Sequence, residues 1–257
     1  MRGAEKKKHR AELQTENGCG TFSAISTILV PRGAEYRAVC RGLRQVVTAP
    51  VVVALPVGLQ PAARFLERWQ CARQQSGEQQ LAVLLMGLCG SLAPQVEVGD
   101  VVLYQGCMGL NAESGKPDDD ALVMCDRTLI ERMSQALEGK VKQVKGLSCD
   151  RILCSACEKQ QLGQQSGAEV VDMEGTAVLN SCNQIDSPVA MLRVVSDDCY
   201  QDLPDLTAAL SSAGQLKLFP LVLAMIRQPL AARQLIRGSL RGLARLQAAT
   251  TTLFTSL

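Results

Sequence analysis

Residues 170–198 read VVDMEGTAVLNSCNQIDSPVAMLRVVSDD and restrict the fold more than any other stretch of the chain. A short apolar run enters Asp172-Met173-Glu174-Gly175, a helical segment follows, and a second apolar run ends on Ser196-Asp197-Asp198. That order places carboxylates at the ends of two successive hydrophobic elements, where a parallel sheet opens its ligand crevice. Taken singly, Glu174 is an ordinary first-turn helix acid and Asp197 an ordinary loop cap. Their meaning depends on what else reaches the same place.

The preceding chain repeats the alternation of strand and helix. Residues 26–30, STILV, form a β-branched run stopped by Pro31. Residues 35–47 carry Val39, Leu43 and Val46 at helical spacing, 49–57 read as a strand, and 61–75 as a helix with Pro61 in its first turn. The run LAVLLM at 81–86 is apolar on both faces, which predicts a central strand. Residues 87–91, GLCGS, are expected to form a loop after it, whose glycines let backbone amides approach a ligand or turn tightly. Val98-Gly99-Asp100 turns into a strand at 101–104, and residues 108–120 read as a long surface loop. Within it Asp118-Asp119-Asp120 is a cation site, a solvated run or a cap for the next helix. A helix over 126–137, a strand over 141–147 and a helix over 154–165, closed by Gly167, lead back to the opening stretch. The pattern predicts an α/β fold: a single domain over residues 25–205 with a central mixed, mostly parallel sheet flanked by helices, followed by a C-terminal helical tail. A length of 257 residues suits one large domain of this class.

Several chemistries are disfavoured by what is scarce. His9 is the sole histidine and lies in a polar, lysine-rich N-terminal stretch, so a Ser-His-Asp or Cys-His mechanism lacks its imidazole. Acid–base work then falls to carboxylates whose pKa values are tuned by burial. Cys154-Ser155-Ala156-Cys157 is a lone close cysteine pair without completing ligands, so neither a metal nor another cofactor is expected. Eleven scattered cysteines behind a polar, charged N-terminus read as reduced thiols in a cytoplasmic protein. Residues 1–24 lack apolar periodicity and are expected to be a disordered basic tail. Its lysines have no aromatic platforms beside them, so nucleic acid is not an expected partner.

Residues 206–257 differ in charge. Asp205 is the last acidic residue, and Lys217, Arg227, Arg233, Arg237, Arg241 and Arg245 follow it. Four of these arginines recur at four-residue spacing, forming one helical stripe, and Ile236, Leu240, Leu243 and Leu246 form another. Two readings stand: the apolar face packs on the domain and the arginines are solvated, or residues 229–247 make a peripheral membrane contact.

Glu35, Glu174 and Asp197 stand out by position, with residues 87–91 ending a strand on the same side. Three carboxylates in one crevice can protonate a leaving group, bind a sugar diol and activate water without histidine.

VVDMEGTAVLN followed by AMLRVVSDD resembles the purine and uridine phosphorylase superfamily, especially its methylthioadenosine/S-adenosylhomocysteine nucleosidases. Met173-Glu174 matches that family's Met-Glu pair and Ser196-Asp197 its Ser-Asp pair; residues 87–91 with Val98-Gly99-Asp100 resemble its glycine loop and Val-Gly-Asp turn. The resemblance implies cleavage of an N-ribosidic bond. Asp197 would protonate the purine at N7 and Ser196 orient that acid, Glu174 would accept the ribose hydroxyls, Met173 would pack on the sugar, and Glu35 would help activate water. Leu88, Cys89 and Gly90 of the glycine loop, and Ile152 where the family keeps a base-stacking aromatic, would complete the substrate site.

Two departures shape the expectation. The Gly-x-Pro-x-Arg phosphate loop of the phosphorolytic branch is replaced by Val30-Pro31-Arg32-Gly33, which favours water over phosphate; Arg32 and Arg64 are the candidates if phosphate is the co-substrate. The arginine-rich tail and the opening strand look similar to the hopanoid-associated phosphorylase-like subgroup, whose implied substrate is an adenosylated membrane lipid. The expected activity is hydrolytic cleavage of a purine nucleoside with a modified 5′ end. Phosphorolysis and a non-catalytic nucleoside-binding module are the alternatives. The resemblance also implies a homo-oligomer.

Overall fold

The computed structural model describes residues 25–75, 82–110, 122–206 and 218–257; the expected N-terminal tail and the Asp118–Asp120 run lie outside the described residues. The strands are β1 (Ile25–Pro31), β2 (Val51–Leu55), β3 (Ala82–Ser91), β4 (Val101–Gly109), β5 (Val123–Met124), β6 (Lys142–Ser148), β7 (Val170–Asp172) and β8 (Val189–Asp197). The helices are α1 (Ala34–Gly42), α2 (Leu59–Gln75), α3 (Arg127–Ala136), α4 (Ala156–Ser166), α5 (Gly175–Asn183), α6 (Leu218–Arg227) and α7 (Pro229–Ser256). Local chemistry sets several boundaries. The Asp126 side chain accepts from Leu129 N at 2.8 Å and caps α3, while Gly167 ends α4 in the left-handed conformation.

All eight strands belong to one mixed sheet, and five of them close on themselves. β3 runs parallel to β8, β8 antiparallel to β4, β4 parallel to β6, and β6 parallel to β7. β7 then returns antiparallel to the end of β3 at Gly90 and Ser91. β1 and β2 extend the sheet in parallel from the first half of β3, and β5 pairs antiparallel with β4. β3 is buried along almost its whole length and centres the core, as its two-sided apolar pattern predicts.

The structure corrects the expected loop at 87–91, because β3 continues through it. Gly87 to Cys89 pair with Arg193 to Val195 of β8, so the ladder supplies the backbone partners that end a strand when missing. The predicted strand at 101–104 likewise runs on to Gly109, and the helix expected to reach 47 ends at Gly42. At Gly42 the backbone of α7 comes so close that a Cβ there would stand 2.7 Å from Gln247 O.

The last helix is part of the domain. α7 buries Leu246, Ala249 and Leu253 in the core, and its small residues Gly238 and Gly242 lie against the end of β8. The arginines of the stripe are exposed along one flank of the helix, where Arg245 Nε donates to Gly99 O at 3.3 Å. The second stripe divides: Leu246 is buried and Leu243 packs partly on the core, whereas Ile236 and Leu240 are exposed. Among the described residues no helix is long and apolar enough to cross a membrane.

Candidate active site

Two features of β3 make the site. Its edge partner changes along the strand, from β1 at residues 82–85 to β7 at residues 90–91. In the gap the Leu88 N–H donates to Glu35 Oε2 at 2.8 Å, so a carboxylate from α1 takes a ladder position. On the other edge the register with β8 slips: Cys89 pairs with Val195 but Gly90 pairs with Asp197, leaving Ser196 as an extra residue. Bulges of this kind re-aim side chains at strand ends. The two glycines accommodate both acids. A Cβ on Gly87 would lie 2.4 Å from Glu35 Oε2 and 2.5 Å from Arg193 Nη1, and one on Gly90 2.8 Å from Asp197 Oδ2. Neither position tolerates a side chain without displacing a carboxylate.

Glu35, Glu174 and Asp197 converge on one cavity of about 240 Å³. Met173, Ser196, Leu88, Cys89, Gly90 and Ile152 also line it, so the structure brings these predicted residues together. Arg32 and Arg64 are exposed and are not among its lining residues. The arginine that does line it is Arg151, which is paired with Glu158. Cys154 and Cys157 are free thiols, and among the described residues no group of three or more His, Cys, Asp or Glu is placed to hold a metal ion.

One end of the cavity is organised around Arg193, which is fully buried. Its Nη2 donates to Asp172 Oδ2 at 2.8 Å and to Glu174 Oε2 at 3.3 Å. Asp172 also accepts from Ser148 Oγ at 2.6 Å and Gly175 N at 3.1 Å, and Glu174 Oε1 accepts from Gly58 N at 3.0 Å. Three carboxylates therefore crowd one guanidinium. Glu35 is only partly buried as a whole residue, but its carboxylate end is enclosed between Leu88 N, Gly87 and Arg193. Burial pushes its pKa up to about 7; Arg193 opposes the shift, and Glu174 and Asp172 add to it. Glu174 is also raised, first by burial and against the pull of Arg193.

At the other end Asp197 Oδ1 accepts from Ser196 Oγ at 2.9 Å, and Oδ2 accepts from Lys159 Nζ at 2.5 Å. Lys159, Arg193 and Asp172 were absent from the predicted site. A lone charge inside the apolar run of residues 189–195 is the signal that could have found Arg193. Asp172 stood in the motif itself, whereas nothing local to Lys159 distinguishes it from an exposed helical lysine.

Comparison with known proteins identifies the family and the fold. The family profile of the phosphorylase superfamily matches residues 31–226, and the chain belongs to that superfamily. Among curated relatives, the 5′-methylthioadenosine/S-adenosylhomocysteine nucleosidase of Shewanella loihica is 29% identical over 146 residues, covering 51% of this chain and 64% of that protein. The enzyme of the same name from Shewanella sediminis is 27% identical over 161 residues, covering 57% and 70%. Among solved structures, futalosine hydrolase of Helicobacter pylori has a TM-score of 0.66 at 15% identity, covering 90% of this chain and 97% of that one. The Helicobacter pylori 5′-methylthioadenosine/S-adenosylhomocysteine nucleosidase, complexed with a substituted pyrrolidin-3-ol, has a TM-score of 0.66 at 15% identity, covering 91% and 100%. At these identities the structural matches establish the shared fold.

Proposed function

We propose that the protein hydrolyses the N-glycosidic bond of a purine nucleoside with a modified 5′ end. The observation that carries this reading is the arrival of three carboxylates in one cavity, one of them with its pKa near 7. Asp197, oriented by Ser196, gives its proton to the base as the bond to the sugar breaks. Glu174, fixed by Gly58 N and Arg193, accepts the ribose hydroxyls, and Met173 packs beside the sugar. Glu35 in its carboxylate form takes a proton from the attacking water; a pKa near the working pH suits a general base. Leu88 and Ile152 supply apolar contact to the substrate.

Water is preferred to phosphate because neither Arg32 nor Arg64 lines the cavity, and Arg151 is engaged by Glu158. A panel of 5′-modified purine nucleosides, assayed with and without phosphate, tests the choice. Free base and free ribose without phosphate are the expected products; phosphate-dependent ribose-1-phosphate would overturn hydrolysis.

The proposal includes self-association and a peripheral membrane contact through residues 229–247. What supports the contact is the exposed arginine stripe, flanked by exposed Ile236 and Leu240 and by Leu230. Flotation with anionic vesicles should fall sharply when Arg233, Arg237 and Arg241 are replaced by Gln; equal flotation would remove the idea. Truncation is unsuitable here, because α7 carries part of the core.

A further inference from the structure

Lys159 projects from α4 into the protein and is 1% exposed, one of the largest fully buried side chains. Lysine is almost never buried to that extent without a partner, because removing an ammonium from water costs several kcal/mol. Its Nζ donates to Asp197 Oδ2 at 2.5 Å and to the Asp198 carbonyl at 3.0 Å. It is absent from the residues lining the cavity, so it reaches Asp197 from behind while that carboxylate faces the substrate space. Together with Ser196 Oγ on Oδ1, it occupies both oxygens of the acid.

We infer that Lys159 is a positioning residue for bond cleavage: it fixes the Asp197 carboxylate and supplies the counter-charge on the acid's side of the cavity once its proton has gone. The inference rests on the assignment of Asp197 as the acid. In the step itself the O–H bond of Asp197 breaks and an N–H bond forms on the base. The electron pair of the sugar–base bond departs with the base, and Asp197 is left negative beside an ammonium that keeps its own protons. A charge already in place where negative charge develops lowers the barrier without reorganisation. The neighbouring titratable groups do not substitute for it. Cys89 on β3 and Cys154 ahead of α4 are thiols pushed up by burial, and Asp198 and Asp202, which line an adjoining cavity of about 200 Å³, have the opposite sign; Arg237 and Arg241 line that cavity too, but it is Lys159 that pairs with Asp197.

The test compares Lys159→Met, Lys159→Arg and Asp197→Asn on a purine nucleoside and on 4-nitrophenyl riboside, whose leaving group needs no proton. Lys159→Met should lose on the order of tenfold to a hundredfold in kcat on the purine substrate, with KM little changed. It should keep the nitrophenyl activity and move the alkaline limb of kcat/KM to higher pH. Lys159→Arg should recover part of the purine rate by restoring the charge. Adding Lys159→Met to Asp197→Asn should cost nothing further, which separates the role from general loss of folding. Unchanged kcat and pH profile in Lys159→Met, or equal losses on both substrates, would overturn the inference. Retention of purine turnover by Asp197→Asn would instead overturn the assignment of the acid on which it rests.

Discussion

The two ends of the cavity handle charge differently. Around Arg193, three carboxylates share one guanidinium, whereas Asp197 has the ammonium of Lys159 beside it. A three-to-one cluster cannot keep every acid ionised at low cost, so Glu35 and Glu174 hold protons above the usual carboxylate range. A one-to-one pair balances itself and holds a fixed geometry. The crowded end is suited to taking up a proton near neutral pH, and the paired end to holding a carboxylate in a defined direction. Burial is common to both; the ratio of charges separates them.

The contrast breaks most severely at Asp197. Asp197→Asn should reduce purine turnover by about a thousandfold or more while sparing the activated nitrophenyl substrate, measured by initial rates. Glu35→Gln should follow, with a loss on the order of a hundredfold and no rise of kcat/KM with pH through about 7, because the group that becomes a base there has gone. The same variant tests linkage. With a folded pKa of about 7 against an ordinary 4.5, Glu35 binds more proton in the folded protein than in the unfolded chain between those values. Its contribution therefore favours folding fully below about 4.5 and is lost as pH rises through about 7, by roughly 3 kcal/mol. Urea midpoints should show Glu35→Gln gaining on the wild type at pH 8 relative to pH 4.5.

Arg193→Met should cost about 3–5 kcal/mol, since it leaves buried acids without their counter-charge. Thermal unfolding should show a larger deficit at pH 8 than at pH 5, where Glu35 is protonated. The smallest effect is expected at Ile152, which only lines the cavity. Ile152→Ala should raise KM a few-fold with kcat nearly unchanged, in steady-state kinetics.

Much of the secondary structure was legible because its causes are local. The two-sided apolar run of β3, the Asp126 cap of α3 and the Gly167 stop of α4 are short-range chemistry, and the structure follows them. Residues 87–91 misled because glycine is read as a turn signal. Here two glycines sit in a paired strand to admit carboxylates that come from α1 and β8. The arginine stripe left two readings open, and the burial of Leu246, Ala249 and Leu253 in the core shows that part of the apolar face packs on the domain. Placement of Glu35, Glu174 and Asp197 at strand and helix ends was legible from the hydrophobic pattern, but their separate charge partners were not.

By itself, the sequence determined the α/β alternation and which acids stand at the ends of its elements, because both follow from periodicity along the chain. Only the tertiary structure decided that five strands close on themselves, that Ser196 is the extra residue in the β3–β8 register, and that Arg193 and Lys159 face different acids. Lys159 lies 38 residues from Asp197 and Glu35 lies 53 residues from Leu88. Contacts at such separation depend on how whole elements pack, and the proton affinity of a buried acid depends on those contacts rather than on its neighbours in sequence.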